Sequence, residues 1–422
     1  MFIGINYQLS IINYQLKKLM EVGEFIKEHR DLDVRNLALQ ADKFPDIDMK
    51  YALMQIEGWQ TARNKLPLYA DTDGIIYPPS ISMQQCSSQF TAEYKRTLTD
   101  RICSDKISFI DITGGFGVDF SFMALSFNKS FFVEIQPNLC EIAQNNFNIL
   151  NIKNTKVVCM DGIEYLKQDT QHFSLIFADP ARRDSYGRKM VAISDCQPDI
   201  SEHLHFLLQH ADNVIIKLSP MLDWHKAVGD LEKHVSEIHI VSVDNECKEL
   251  LLVLSQEKTD KIDIYCINNN DKTIFYAREE RVNDVNDVYL SNEETKNIQD
   301  TYKWLYLPNT SLMKSGMFEQ LAYKTNTKIL AKNSHIILSK ERIKDFPGRI
   351  LEIENVCSMN GKQLKKYLSG IDNANIMVRN FPLKAEQLKK KLKMKDGGDK
   401  YIIGTTDRLN NHILFICNSN SF

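Results

Sequence analysis

The stretch FIDITGGFGVDFSFMAL, Phe109 to Leu125, decides the fold. An apolar run ends on one acid, Asp111, a glycine cluster follows, and a helix-like run begins. A strand that turns through glycines into a helix points backbone N–H groups and the helix N-terminus at whatever sits on the turn, and glycine permits close approach. Spacing excludes two nucleotide loops. Gly114, Gly115 and Gly117 miss the GxGxxG register that admits a dinucleotide pyrophosphate, and the GK[ST] of a phosphate-cradling Walker loop is absent. Asp111 at the strand end repels phosphate but suits a cationic amino-acid moiety.

Working outward, strand and helix patterns alternate. ISFIDIT, SFFVEI, TKVVCM, FSLIFADP and NVIIKLSP read as strands, with helical patterns between them, and EIHIVSV and ELLLVLS follow as a final hairpin at the sheet edge. Apolar, β-branched strands separated by helices predict an α/β fold with a mostly parallel sheet covered on both faces. Residues 1–90 read as a helical region, in which MKYALMQIEGWQTARNKLP has apolar residues at three- and four-residue spacings. The sheet domain is expected over 91–256, and a small α+β segment, opening with the hairpin IDIYCIN–TIFYARE, over 257–322. A basic α+β domain over 323–422 reads β-α-β-α-β-β.

The series Asp111-x-x-x-Gly115-x-Gly117 resembles motif I of class I S-adenosylmethionine methyltransferases, close to a D-x-x-C-G-x-G variant of RNA-modifying members, with Gly114 in the cysteine place. Later elements resemble the same superfamily in order: Glu134 ending the second strand, Asp161 after the third, and Asp179-Pro180 after the fourth. The resemblance implies a Rossmann-like seven-stranded domain with S-adenosyl-L-methionine as cofactor. It would be held by Asp111, Thr113, Gly115, Gly117, Glu134, Asp161 and Asp179. Glu134 would take the ribose hydroxyls, and Asp161 the adenine amino group. Each acid also has a structural alternative: a helix cap for Asp111, a solvated strand end for Glu134, a turn and cap for Asp161, and a purely structural part for Asp179.

DPARRD departs from the [DNS]PP[YFW] of amino-group methyltransferases, because Ala181 and Arg182 replace the second proline and the aromatic. No cysteine sits directly after the fourth strand, and Cys196 is too far along, so a covalent C5 mechanism lacks its nucleophile. The reaction edge is therefore assigned to Asp179, Pro180 and Arg182, with Arg182, Arg183, Lys217 and Ser219 toward substrate. For these cations the alternative is ion pairing with Asp184 or Asp223. DPARRD and KLSPMLDW, with YPPSISMQQCSSQFTAEYK, LMKSGMFEQLA and KDGGDKYIIGTT, resemble a bacterial methyltransferase family with a ferredoxin-like segment and a THUMP-like C-terminal domain.

Charge is unevenly shared. Net charge is −3, yet from Tyr323 onward 19 Lys and Arg face 9 Asp and Glu, a surplus of ten that leaves −13 for the rest. Such a split suggests a polyanion-binding module, here tRNA or rRNA, with Lys390 and Lys391 of LKKKLKMK as contacts. Nine scattered cysteines without CxxC and no signal-peptide pattern fit a reducing cytoplasm. No apolar run approaches the roughly 18 residues of a membrane span, and no metal site is expected. The rival readings are a methyltransferase for a small molecule or protein, and a noncatalytic RNA-binding protein on a methyltransferase-like scaffold.

Overall fold

The computed structural model describes residues 20–182, 192–276 and 285–419. They form two compact units, Met1–Val235 with Leu252–Lys258, and Ser236–Leu251 with Thr259–Phe422. Among the described residues no helix is long and apolar enough to cross a membrane.

The first unit opens with helices. A helix over residues 20–29 packs with α1 (Met49–Lys65) around Val22, Phe25, Leu37, Ala52 and Ile56. The Asp48 side chain caps α1 by accepting from the Tyr51 N–H, and Pro67 limits it at its far end. α2 (Gln89–Ile102) starts on Ser88, whose hydroxyl accepts from the Thr91 N–H.

The predicted alternation follows: β1 (Ser108–Asp111), α3 (Val118–Met123), β2 (Lys129–Glu134), α4 (Pro137–Ile149), β3 (Thr155–Cys159), α5 (Gly162–Gln168), β4 (Phe173–Ala178), α6 (Ile200–His210), β5 (Ala211–Leu218) and α7 (Trp224–Asp230). The strand order is β3-β2-β1-β4-β5, all parallel. Every residue of β1 and β4 is buried, as expected of central strands covered on both faces. The chain leaves β1 in one direction for β2 and β3 and returns to the other side for β4 and β5. The topological switch point therefore lies at the C-terminal ends of β1 and β4, where such sheets bind ligands.

The second unit begins with β6 (Val235–Val243) and β7 (Glu246–Leu254), whose first and last residues respectively group with the first unit. They are joined by Asp244 and Asn245, both at positive φ, as a two-residue hairpin turn requires. The sheet does not end there. β8 (Asp263–Asn268) runs parallel to β6 over six residue pairs, and β9 (Asp271–Phe275) pairs antiparallel with β8. The IDIYCIN hairpin thus continues the β6–β7 pair. The sequence could not show this, since hydrophobic alternation says nothing about which edge a strand joins.

A second sheet is built from β10 (Trp304–Pro308), β11 (Ile337–Ser339), β12 (Gly348–Ser358), β13 (Asn375–Arg379), β14 (Lys400–Thr406) and β15 (His412–Ser419), with a two-residue strand at Lys328–Ile329. Helix α8 (Phe318–Thr325) precedes β11; α9 (Gly361–Tyr367) and α10 (Ala385–Leu392) flank β13. From β12 on, the β-α-β-α-β-β order is as expected. β10 was not anticipated: WLYLP is five apolar residues without periodicity, which a buried helix fits equally well.

Candidate functional site

The site grows from the β1–α3 turn. Gly115 and Gly117 stand at φ 58° and 83°, where a side chain is strained. Gly114 is constrained by contact: a Cβ there would lie 2.4 Å from the Phe132 ring. At Gly117 a Cβ would lie 2.8 Å from Phe147. Phe132 and Phe147 are themselves packed on Phe120 of α3, so aromatic bulk holds the back of the loop. Gly115 differs, because a Cβ there would meet only the Thr113 carbonyl at 3.8 Å. The open face of the turn is at Gly115.

Four acids end successive strands around this turn. Asp111 is 2% exposed and lies beneath the loop, where its Oδ1 accepts from the Thr113 N–H at 2.9 Å and the Thr113 hydroxyl at 3.3 Å. Burial pushes its carboxyl up to about 8, with the charges of Asp119 and Asp179 adding to the effect. Glu134 is buried. Its two oxygens accept from the Gly115 N–H at 2.7 Å and the Gln136 N–H at 2.8 Å, which fixes the acid against the open face. Asp161 caps α5, accepting from Ile163 and Glu164 N–H through Oδ1. Its capping alternative is therefore real, and it leaves Oδ2 outside the cap. Gly162 has no room for a side chain: a Cβ would lie 2.1 Å from the Ile112 carbonyl oxygen.

Asp179 follows β4. Its N–H donates to the Thr113 hydroxyl at 2.6 Å, so Thr113 ties the ends of β1 and β4 together. Its carboxylate, 40% exposed, meets the Lys217 ammonium at 2.6 Å. Lys217 also lies 3.2 Å from Asp119, and Asp119 lies 3.1 Å from Lys95, whose side chain is fully buried. The Ser87 hydroxyl donates to Asp119 at 2.8 Å. Burial alone would raise the Asp119 carboxyl, but Lys217 and Lys95 outweigh it and hold the acid at about 2. Lys217 is thus ion-paired with Asp119 and Asp179; Asp184 lies outside the described residues.

Lys95, Asp119 and Ser87 were absent from the sequence reading. A signal existed for Lys95: with Thr91, Ala92, Leu98 and Thr99 it falls on the buried stripe of α2, where a lysine must have a partner. Pro180 is buried, and the chain then enters a two-residue strand, Ala181–Arg182, antiparallel to Cys196–Gln197. Arg183 lies outside the described residues. Ser219 is half-buried and accepts from the Met221 N–H. In α10, Lys389 pairs with Glu386 and Asp396, while Lys390 and Lys391 are exposed.

The Rossmann-like sheet with its glycine turn and strand-end acids defines the class I methyltransferase architecture. Comparison with known proteins makes the likeness specific. A crystallised protein of Porphyromonas gingivalis W83, provisionally assigned as a methyltransferase, matches with a TM-score of 0.79 and 29% identity over 96% of this chain and 99% of that one. Residues 304–347 match the family described as a ferredoxin-like domain, and 348–419 the family described as THUMP domain-like. Lesser similarity extends to an rRNA methylase of Streptococcus thermophilus (TM-score 0.29, 14% identity, 38% of this chain and 93% of that one). It extends also to the tRNA m1G37 methyltransferase of M. jannaschii (TM-score 0.29, 11% identity, 41% of this chain and 52% of that one). No curated protein matches the chain.

Proposed function

We propose that the protein is an S-adenosylmethionine-dependent methyltransferase acting on RNA, with tRNA or rRNA as the substrate class. The observation that carries this is Glu134. A buried carboxylate is held by the Gly115 and Gln136 N–H groups at the one open point of a glycine turn. That arrangement suits a vicinal diol, which donates two hydrogen bonds to one acid, and it disfavours a pyrophosphate.

The remaining donor set fits the same cofactor. Asp161 has an oxygen outside its cap for an adenine amino group, and Asp111 supplies the counter-charge for an ammonium. Thr113, Gly115 and Gly117 shape the turn between them. When bound, S-adenosylmethionine supplies an electrophilic methyl group, and the chain's own work is to position the acceptor and exclude water. Asp179 is assigned to orienting the acceptor and taking its proton. Lys217, restrained by Asp119, fixes the Asp179 carboxylate. Pro180 stiffens the turn that follows, and Arg182 and Arg183 are assigned to substrate phosphate, which guanidinium forks suit. The THUMP-like segment and the surplus of positive charge after Tyr323 support RNA as the substrate, with Lys390 and Lys391 on its exposed face.

Calorimetry tests the reading. S-adenosylhomocysteine should bind, and Glu134→Ala should lose about 1.5–3 kcal/mol, the worth of hydrogen bonds to a charged acceptor. Asp179→Ala should keep cofactor affinity and lose methyl transfer. Tight NAD binding with no response to S-adenosylhomocysteine would overturn the proposal.

A further inference from the structure

Two thiols meet behind the end of β2. Cys140 lies near the start of α4, and Cys159 closes β3, the outermost strand of the parallel set. In the sheet register Cys159 stands opposite Glu134. The Glu134 carbonyl is a shared acceptor: the Cys140 thiol donates to it at 3.2 Å and the Met160 N–H at 3.0 Å. The Cys159 thiol donates to the next carbonyl, that of Ile135, at 3.9 Å. Both sulfurs thus sit on consecutive carbonyls of one short turn. Both residues also line the same open surface pocket, about 480 Å³ in volume, within the roughly 300–1,000 Å³ of pockets that take small molecules.

The thiols differ in access. Cys159 is exposed, whereas Cys140 is buried. Burial pushes the Cys140 thiol up, and its neighbours Cys159 and Glu134 add to the effect. The thiolate is the reactive form, so the buried sulfur does not react first. The side-chain amides of Gln144, Asn145 and Asn148 line the same pocket. They are neutral donors and acceptors that suit the peptide groups of a small thiol conjugate.

We infer that Cys140 and Cys159 are a redox pair, joined as a disulfide by a low-molecular-weight disulfide that enters this pocket, and that the new bond weakens the cofactor site. The Cys159 thiolate attacks one sulfur of the small disulfide, whose S–S bond breaks, and the first small thiolate leaves with a proton. The Cys140 sulfur, giving up its proton, then attacks the Cys159 sulfur and expels the second small thiol. Two protein thiols are oxidised to one disulfide, and the small disulfide is reduced to two thiols. On oxidation both cysteines lose the hydrogen they donate, and α4 becomes tied to the end of β3. The Cys140 N–H donates to the Gln136 carbonyl at 3.1 Å, and the Gln136 N–H holds the Glu134 carboxylate. A shift of Cys140 is thereby passed to that carboxylate. The effect on the cofactor rests on the proposed role of Glu134; formation of the disulfide does not.

The full-length protein should be incubated with oxidised glutathione, blocked with an alkylating agent and mapped by peptide mass spectrometry. The wild type should yield a Cys140–Cys159 cross-linked peptide that dithiothreitol removes. Cys140→Ser should instead retain glutathione on Cys159, and Cys159→Ser should leave Cys140 reduced. Calorimetry on the same samples should show S-adenosylhomocysteine bound at least about tenfold more weakly by the oxidised wild type, as expected from disturbing hydrogen bonds to a charged acceptor. Reduction should restore it, and the same treatment should not change the affinity of Cys159→Ser. Absence of the cross-linked peptide, with Cys159 left reduced or carrying glutathione, would contradict the pair. A cross-link formed in full with unchanged affinity would contradict the control of binding. Failure of the reduced protein to bind S-adenosylhomocysteine would overturn the cofactor reading and that control with it, while the cross-linked peptide still decides the pair.

Discussion

At the residue scale, Asp111 is informative because burial and function pull its proton in opposite directions. Its carboxyl, raised to about 8, holds a proton at neutral pH, whereas the unfolded chain ionises near the ordinary aspartate value. Unfolding therefore releases a proton between about pH 4 and pH 8, and Asp111's contribution to the stability of the ligand-free protein falls across that window as pH rises. A cationic ligand reverses the balance by favouring the ionised acid. Binding of S-adenosylhomocysteine at pH 6.5 should thus release close to one proton, seen as a dependence of calorimetric heat on the buffer's ionisation enthalpy. Affinity should rise with pH until about pH 8 and then level. Heat that is independent of buffer would remove Asp111 from the ammonium role. Lys95 offers a second residue-scale test. It is fully buried against Asp119, and breaking such a pair leaves an uncompensated charge worth about 3–5 kcal/mol. Lys95→Met should show a loss of that order in urea denaturation, whereas a loss under about 1 kcal/mol would mean that Lys217 alone satisfies Asp119.

At the element scale, the β1–α3 turn was legible because its constraints are local. Strand end, glycine offsets and helix start are all written within Asp111 to Met123. The strand-end acids were legible for a related reason: Asp111 and Glu134 close their strands, Asp161 and Asp179 follow theirs within two residues, and the parallel order brings those positions to one edge. The Lys95–Asp119–Lys217 contacts were hidden, since they join α2, α3 and β5 across long separations. Gly162 shows the same limit. In the sequence it reads as half of an Asp-Gly turn, yet in the fold it is the point where α5 meets the Ile112 carbonyl. Gly162→Ala should cost at least about 1–3 kcal/mol through overpacking, and cofactor affinity should fall with it because Asp161 is its neighbour. Gly23→Ala, in a helix with open space around it, should be neutral or stabilising by up to about 1 kcal/mol. Equal melting temperatures for the two variants would show that the α5 contact yields.

At the scale of the whole molecule, the chain couples a methyltransferase-type sheet to ferredoxin-like and THUMP-like segments. The charge split sets the last hundred residues apart from composition alone, and most of them match the THUMP domain-like family. It could not predict β10 or the continuation of the β6–β7 pair by β8 and β9, because those depend on which strands meet. The central claim is that this assembly methylates RNA, and nucleoside mass spectrometry tests it most directly. RNA from a strain lacking the gene should miss, or carry at much reduced level, one methylated nucleoside present in the parent. Purified protein with S-adenosylmethionine should restore it, and Glu134→Ala and Asp179→Ala should not. Identical nucleoside profiles in the two strains, with no methyl transferred to the mutant strain's RNA by the purified protein, would contradict the account.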